Sequence, residues 1–130
     1  MTTIQPGLTG ASHAAVTEDL LATHFGSGAV EVYATPAMIA LMEAAAIAAI
    51  DPLLPDGQAS VGTAIAVKHL AATPLDDTVR AQAEVIAVEG RLVTFQVEAW
   101  DSHERIGEGT HTRFVIDLDR FMQRVGAKRA

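Results

Sequence analysis

The chain contains no cysteine. That excludes disulfides, thiolate metal sites and a cysteine nucleophile, and it suits a reducing compartment. Positive charge is also scarce, with 9 Lys and Arg against 16 Asp and Glu and a net charge of −7. This argues against nucleic acid as a main partner, because phosphate binding needs clustered cations. Those residues gather only at the tail, as Arg120, Arg124, Lys128 and Arg129, where a solvated C-terminal turn accounts for them. No basic segment leads into an apolar run at the N-terminus, as a signal peptide would require. The longest apolar stretch, Met38 to Ile50, is interrupted by Glu43 and falls short of the roughly 20 residues that span a bilayer. A cytoplasmic protein with no membrane partner is the expectation. Repeats, low-complexity tracts and long linkers are absent too, so residues 1–130 read as one domain.

What is present is apolar: 49% of residues are hydrophobic and 19% charged, enough for a real core. One helix stands out. Thr35 suits an N-cap and Pro36 the first helical position, and good helix formers run from Ala37 to Ile50 before Asp51-Pro52 stops them. Its apolar residues cover every direction, which predicts a helix buried on most sides, with alanines that let a sheet approach closely. After the loop Asp51 to Ser60 the period changes to two. Thr63 to Leu70, Val79 to Ala87, Leu92 to Trp100 and Arg105 to Leu118 read as strands, with a tight turn at Glu89-Gly90. Gly107 and Gly109 suggest a bulge or a close backbone approach. Two shorter strands are expected before the helix, around Ala14 to Leu21 and Val30 to Tyr33. One helix apolar all round needs an antiparallel sheet wrapped about it, an α+β hotdog arrangement.

Against this background a few polar residues stand out. Glu43 is the only charged side chain between Tyr33 and Asp51. A carboxylate among alanines, methionines and isoleucines must be partnered, protonated or at a wet cleft, unless it marks the helix's one solvent-facing strip. His69 shares a strand face with Ile65 and Val67, where a hydrogen-bonded core histidine and a catalytic one look alike. Thr35 is explained locally as a cap, and Gly62 could simply open a strand. His13, His24, His103 and His111 show no metal-ligand spacing, so no metal is expected.

Taken together these residues resemble a known family. Tyr33-Ala-Thr-Pro-Ala-Met-Ile-Ala-Leu-Met-Glu43, Ser60-Val-Gly-Thr-Ala-Ile-Ala-Val-Lys-His69 and Ala71-Ala-Thr-Pro74 resemble the fluoroacetyl-CoA thioesterases of the hotdog class. So do Val88-Glu-Gly-Arg91 and Ile106-Gly-Glu-Gly-Thr-His-Thr-Arg113, and the likeness runs from about residue 14 to 121. The resemblance implies a catalytic set of Thr35, Glu43 and His69, with Gly62 lining the same site. It also implies a homodimer, open to further pairing as a dimer of dimers, with sites at the subunit interface. The substrate would be a small acyl-CoA, with coenzyme A entering as part of it and no separate cofactor. Gly26-Ser-Gly-Ala29 lacks bulky aromatics for a tight lid, so the resemblance carries short-chain acyl-CoA hydrolysis and not fluoroacetyl specificity.

Geometry adds a constraint of its own. Thr35 and Glu43 are eight residues apart, about 12 Å along a helix axis, whereas a direct hydrogen bond needs roughly 2.6 to 3.2 Å. If they serve one site, they come from different subunits. Glu43 would act as general base on water or attack directly to give a mixed anhydride, with Thr35 orienting it or the water. His69 would polarise the carbonyl or protonate the leaving group, and backbone N–H groups near Gly62 would hold the oxyanion. Lys68, Arg91, Arg113 and Arg120 are candidate coenzyme A phosphate contacts, each also readable as an ordinary surface charge. The rival readings are a hotdog protein that binds acyl-CoA without hydrolysing it, a hydratase or dehydratase, and a purely structural dimer. The hydratase chemistry would want an acidic neighbour before His69, and the structural dimer leaves Glu43 unexplained.

Overall fold

In the computed structural model, which describes residues 3–129, the chain runs β1 (Thr9–Ala15), α1 (Ala22–Phe25), α2 (Thr35–Ile50), β2 (Gln58–His69), β3 (Thr78–Glu89), β4 (Leu92–Trp100), β5 (Arg105–Asp117) and α3 (Leu118–Gly126). The strands form one antiparallel sheet in the order β1-β3-β4-β5-β2, which leaves β1 and β2 as its edges. The period-two pattern explains the core. Val79, Ala81, Ala83 and Val85 of β3 and Val93, Phe95, Val97 and Ala99 of β4 are all buried, in one cluster with Met38, Met42, Ala45 and Ala46 of α2.

Close approach is built into the sequence at β1. A Cβ placed on Gly10 would stand 2.3 Å from the Ala45 carbonyl oxygen and 2.4 Å from the Ala49 nitrogen, so strand backbone lies directly on helix backbone. Ser12 Oγ donates to the Leu41 carbonyl at 2.7 Å across the same contact. At the other end of α2, Gly107 faces Met38, whose Sδ would sit 2.5 Å from an added Cβ. Gly109 brings β5 within 2.1 Å of the Ala66 carbonyl by the same measure, as the glycine spacing suggests.

Both short strands expected before the helix are corrected. Only Ala14 and Ala15 of the first lie in a strand, which begins earlier at Thr9, and the rest leads into a 3-10 turn at Glu18–Leu20. Val30 to Tyr33 contributes a single bridge, Leu21 to Tyr33. The reason lies at the helix contact: β1 must be small rather than alternately apolar, so its strand signal is weak.

The burial of α2 is also one-sided. Ala37, Met38, Leu41, Met42, Ala45, Ala46, Ala49 and Ile50 are buried, while Pro36, Ala40, Ala44, Ile47 and Ala48 form an exposed, almost wholly apolar face. The sheet wraps only half the helix. With the following 3-10 turn the helical segment Thr35–Leu53 spans 19 residues and is long and apolar enough to cross a bilayer by length and composition. Here it lies along the sheet. The edge strand β2 carries one irregularity: Gly62 pairs with Arg113 and Ala64 with Thr112, so Thr63 is an extra residue. Its hydroxyl donates to the Thr112 carbonyl at 3.2 Å.

Candidate active site

The four residues singled out in the sequence form two pairs in two separate clefts. Thr35 does not cap the helix through its side chain; Ala34 is the N-cap residue, and no side-chain cap bond is made. The Thr35 hydroxyl instead lies 2.7 Å from His69 Nδ1. This pair lines a cleft of about 410 Å³ with Tyr33, Ala71, Ala72, Ser27 and Gly28. Tyr33 is buried, and burial pushes its phenol up to about 12, so it remains an uncharged wall.

Glu43 and Gly62 meet in the second cleft, about 240 Å³, with Thr63, Ala64, Ile65 and His111. A Cβ on Gly62 would lie 2.8 Å from Glu43 Oε2 and 3.2 Å from the His111 ring. Glycine is what lets the strand backbone reach the carboxylate. Glu43 is neither buried among alanines nor free: its side chain is 40% exposed, and Oε2 lies 3.4 Å from Arg113 Nη1.

Arg113 overturns its expected role as a surface cation and phosphate contact, since only 4% of it is exposed. Its Nε donates to Ser60 Oγ at 2.7 Å and its Nη2 to the Ser60 carbonyl at 2.9 Å. Its Nη1 lies 3.1 Å from His111 Nε2. His111 is the second residue the sequence reading passed over. Its Nδ1 lies 2.8 Å from the Ala64 carbonyl, which can only accept, so Nδ1 carries the proton and Nε2 accepts from Arg113. A signal for both was available. Gly107, Gly109, His111, Arg113 and Val115 fall on alternate positions of one strand, which puts His111 and Arg113 on the row facing the helix. Of the other cations, Lys68 is exposed, and Arg91 and Arg120 lie beside Asp117, at 3.4 and 4.0 Å.

Both site imidazoles have their pKa lowered, which favours the neutral form. Burial lowers the pKa of His69, whose Nε2 has no hydrogen-bond partner among the described residues. At His111 burial again leads, reinforced by the Arg113 charge, against the opposing effects of the Ala64 carbonyl and Glu43. A depressed folded-state pKa means that the unfolded chain takes up the proton first. Their contribution to stability is therefore complete above the ordinary value of 6.5 and is lost as pH falls below it. Urea midpoints measured from pH 7.5 to 5.5 should fall steadily, and His111→Gln should flatten the fall. A pH-independent midpoint over that range would show that folding does not lower the two pKa values.

One further group of potential ligands, Asp77, Asp101 and His103, brings its ligand atoms within 4.8 Å of one another. The Asp101 oxygens already accept from the His103 and Glu104 N–H groups and the Thr73 hydroxyl, which accounts for the group as a loop brace.

An antiparallel sheet curled about one long helix is the hotdog architecture. Comparison with known proteins narrows this. The sequence profile of the fluoroacetyl-CoA-specific thioesterases matches residues 16–119. A fluoroacetyl-CoA thioesterase from Streptantibioticus cattleyicolor is 48% identical over 98 residues, covering 75% of this chain and 70% of that one. The crystal structure of a single-site variant of the fluoroacetyl-CoA-specific thioesterase in complex with fluoroacetate and CoA superposes with a TM-score of 0.85 at 40% identity, over 91% of this chain and 99% of that one. A hot-dog-like protein from Thermanaerovibrio acidaminovorans gives a TM-score of 0.87 at 28% identity, over 96% and 93% of the two chains. The chain belongs to the fluoroacetyl-CoA-specific thioesterase family and is a thioesterase.

Proposed function

We propose that the chain hydrolyses a short acyl-CoA thioester as a homodimer, each site combining Thr35 and His69 of one protomer with Glu43 and Gly62 of the other. The observation that carries this reading is the separation of the two pairs into two clefts of one chain. Thr35 sits at His69, and Glu43 sits at Gly62, so α2 and β2 run alongside each other in opposite directions. The midpoint between Thr35 and Glu43, residue 39, therefore lies over the midpoint of the Gly62–His69 segment, near Ile65 and Ala66. A twofold axis running beside the chain, at the level of both midpoints, would bring each pair to the complementary pair of the other protomer. It would cover the exposed apolar face of α2 and pair the free edges of β2, two surfaces an isolated chain leaves open.

In such a site Glu43 activates water as general base or attacks the thioester carbon directly to give a mixed anhydride. In both routes the thiolate of coenzyme A leaves; in the second, water then cleaves the anhydride to release the acid and restore Glu43. His69, held by Thr35, polarises the carbonyl as a hydrogen-bond donor in its neutral form, and only its protonated form could supply a proton to the leaving sulfur. The Gly62 backbone N–H, at a position with no side chain, would stabilise the oxyanion. Ser27 and Gly28 line the Thr35 cleft with small groups, so fluoroacetyl selectivity is not part of the proposal.

Thiol release from a panel of acyl-CoAs is the direct test. Binding without turnover across the panel would support a non-hydrolytic acyl-CoA-binding protein instead. The shared site has its own test. Thr35→Ala and Glu43→Ala proteins, each inactive alone, should recover activity when unfolded and refolded together. Random pairing leaves one intact site in half of the dimers, for about a quarter of the wild-type rate. No recovery on mixing, with heterodimers demonstrably formed, would place each site within one protomer.

A further inference from the structure

The buried face of Arg113 leads away from the clefts, to residues that no part of the proposed chemistry uses. Ser60 Oγ accepts from Arg113 Nε at 2.7 Å and itself donates to Asp51 Oδ1 at 2.6 Å. The Ser60 N–H points to Asp51 Oδ2 at 3.3 Å, and the Ser60 carbonyl accepts from Arg113 Nη2 at 2.9 Å. Ser60 thus spends both its hydroxyl and its carbonyl on one edge of the guanidinium. A planar guanidinium held along that edge can turn neither about its stem nor out of its plane. Only Nη1 is left for the site, and it lies between Glu43 Oε2 and His111 Nε2, at 3.4 and 3.1 Å.

The chain of bonds begins and ends on the same helix. Asp51 caps the C-terminus of α2 and Glu43 stands in its middle, with Arg113 reaching both, one directly and one through Ser60. A buried arginine pulled only by Glu43 would settle against it face on. The second anchor holds it at the longer distance seen here.

We infer that Asp51 and Ser60 are positioning residues for Glu43, acting through Arg113 to fix where the carboxylate stands. This rests on the reading of Glu43 as the reacting carboxylate. Neither residue lines either cleft, so their loss acts on the rate of the chemical step and leaves substrate binding nearly untouched.

The experiment measures kcat and KM separately for the full-length Ser60→Ala, Ser60→Thr and Asp51→Asn proteins, with Glu43→Gln as the control. Ser60→Ala should lower kcat about tenfold, the effect of one lost hydrogen bond to a charged group. KM should stay within about twofold. Ser60→Thr, which keeps the hydroxyl, should recover most of the loss, and Asp51→Asn should fall between wild type and Ser60→Ala. An unchanged kcat in Ser60→Ala, or a loss that Ser60→Thr does not recover, overturns the inference. If Ser60→Ala does not fold, an unchanged kcat in Asp51→Asn overturns it equally. Wild-type turnover by Glu43→Gln would instead remove the reading of Glu43 on which the inference rests.

Discussion

Glu43→Gln should lower kcat for acyl-CoA hydrolysis about a thousandfold, within the range that a positioned base contributes. The substitution keeps the size of the side chain and an oxygen for Arg113 Nη1, and removes only the capacity to take a proton or attack carbon. Because the side chain is 40% exposed at the mouth of a cleft, the change should cost little stability and leave the proposed dimer intact. The measurement is thiol release at saturating substrate, with light scattering to count subunits and thermal melting to check the fold. Retained turnover in a folded protein would mean that another group carries the reaction. A loss with the assembly broken would make the result structural, and the shared-site refolding experiment would then have to decide.

The second large effect concerns the fold alone. Gly10→Ala should destabilise the protein by about 3 kcal/mol, the upper part of the usual overpacking range, or roughly 10 °C in Tm. The added methyl would stand 2.3 Å from the Ala45 carbonyl oxygen and 2.4 Å from the Ala49 nitrogen. Both are backbone atoms in the C-terminal part of α2, with no rotamer to change. Relief requires β1 to move off α2, which would also stretch the bond from Ser12 to the Leu41 carbonyl. Gly126→Ala, at a glycine with nothing within 4 Å of an added Cβ, is the matched control and should melt like wild type. Equal melting temperatures for the two variants would show that β1 and α2 are not in backbone contact.

What could be read from the sequence follows from how far each signal is local. The long helix, its stop at Asp51-Pro52, the β3–β4 hairpin and the buried rows of those two strands follow from periodicity and turn residues, and the structure has them. β1 was misplaced because Thr-Gly-Ala-Ser-His-Ala-Ala carries its information in smallness, and smallness acquires meaning only against α2. Thr35 was read as a cap because capping is a local rule; its partner, His69, is 34 residues away. Glu43 was conspicuous for its surroundings, but the cation beside it was not, because an arginine near the end of a strand looks like a surface residue until its face is known. The half-open helix has the same origin: composition shows that α2 is apolar on every side, and only the reach of one sheet shows which sides remain uncovered.

The extra residue in β2 settles a matter of parity. Gly62 and His69 are separated by an odd number of positions, and in a regular strand they would point to opposite sides of the sheet. Both face α2, one at Glu43 and the other at Thr35, because Thr63 is inserted between them without a partner and reverses the alternation once. A strand of this length with ideal pairing throughout could present either residue to the helix, but never both. The unpaired threonine is a change of phase in the strand, and the placing of one residue in each of the two clefts depends on it.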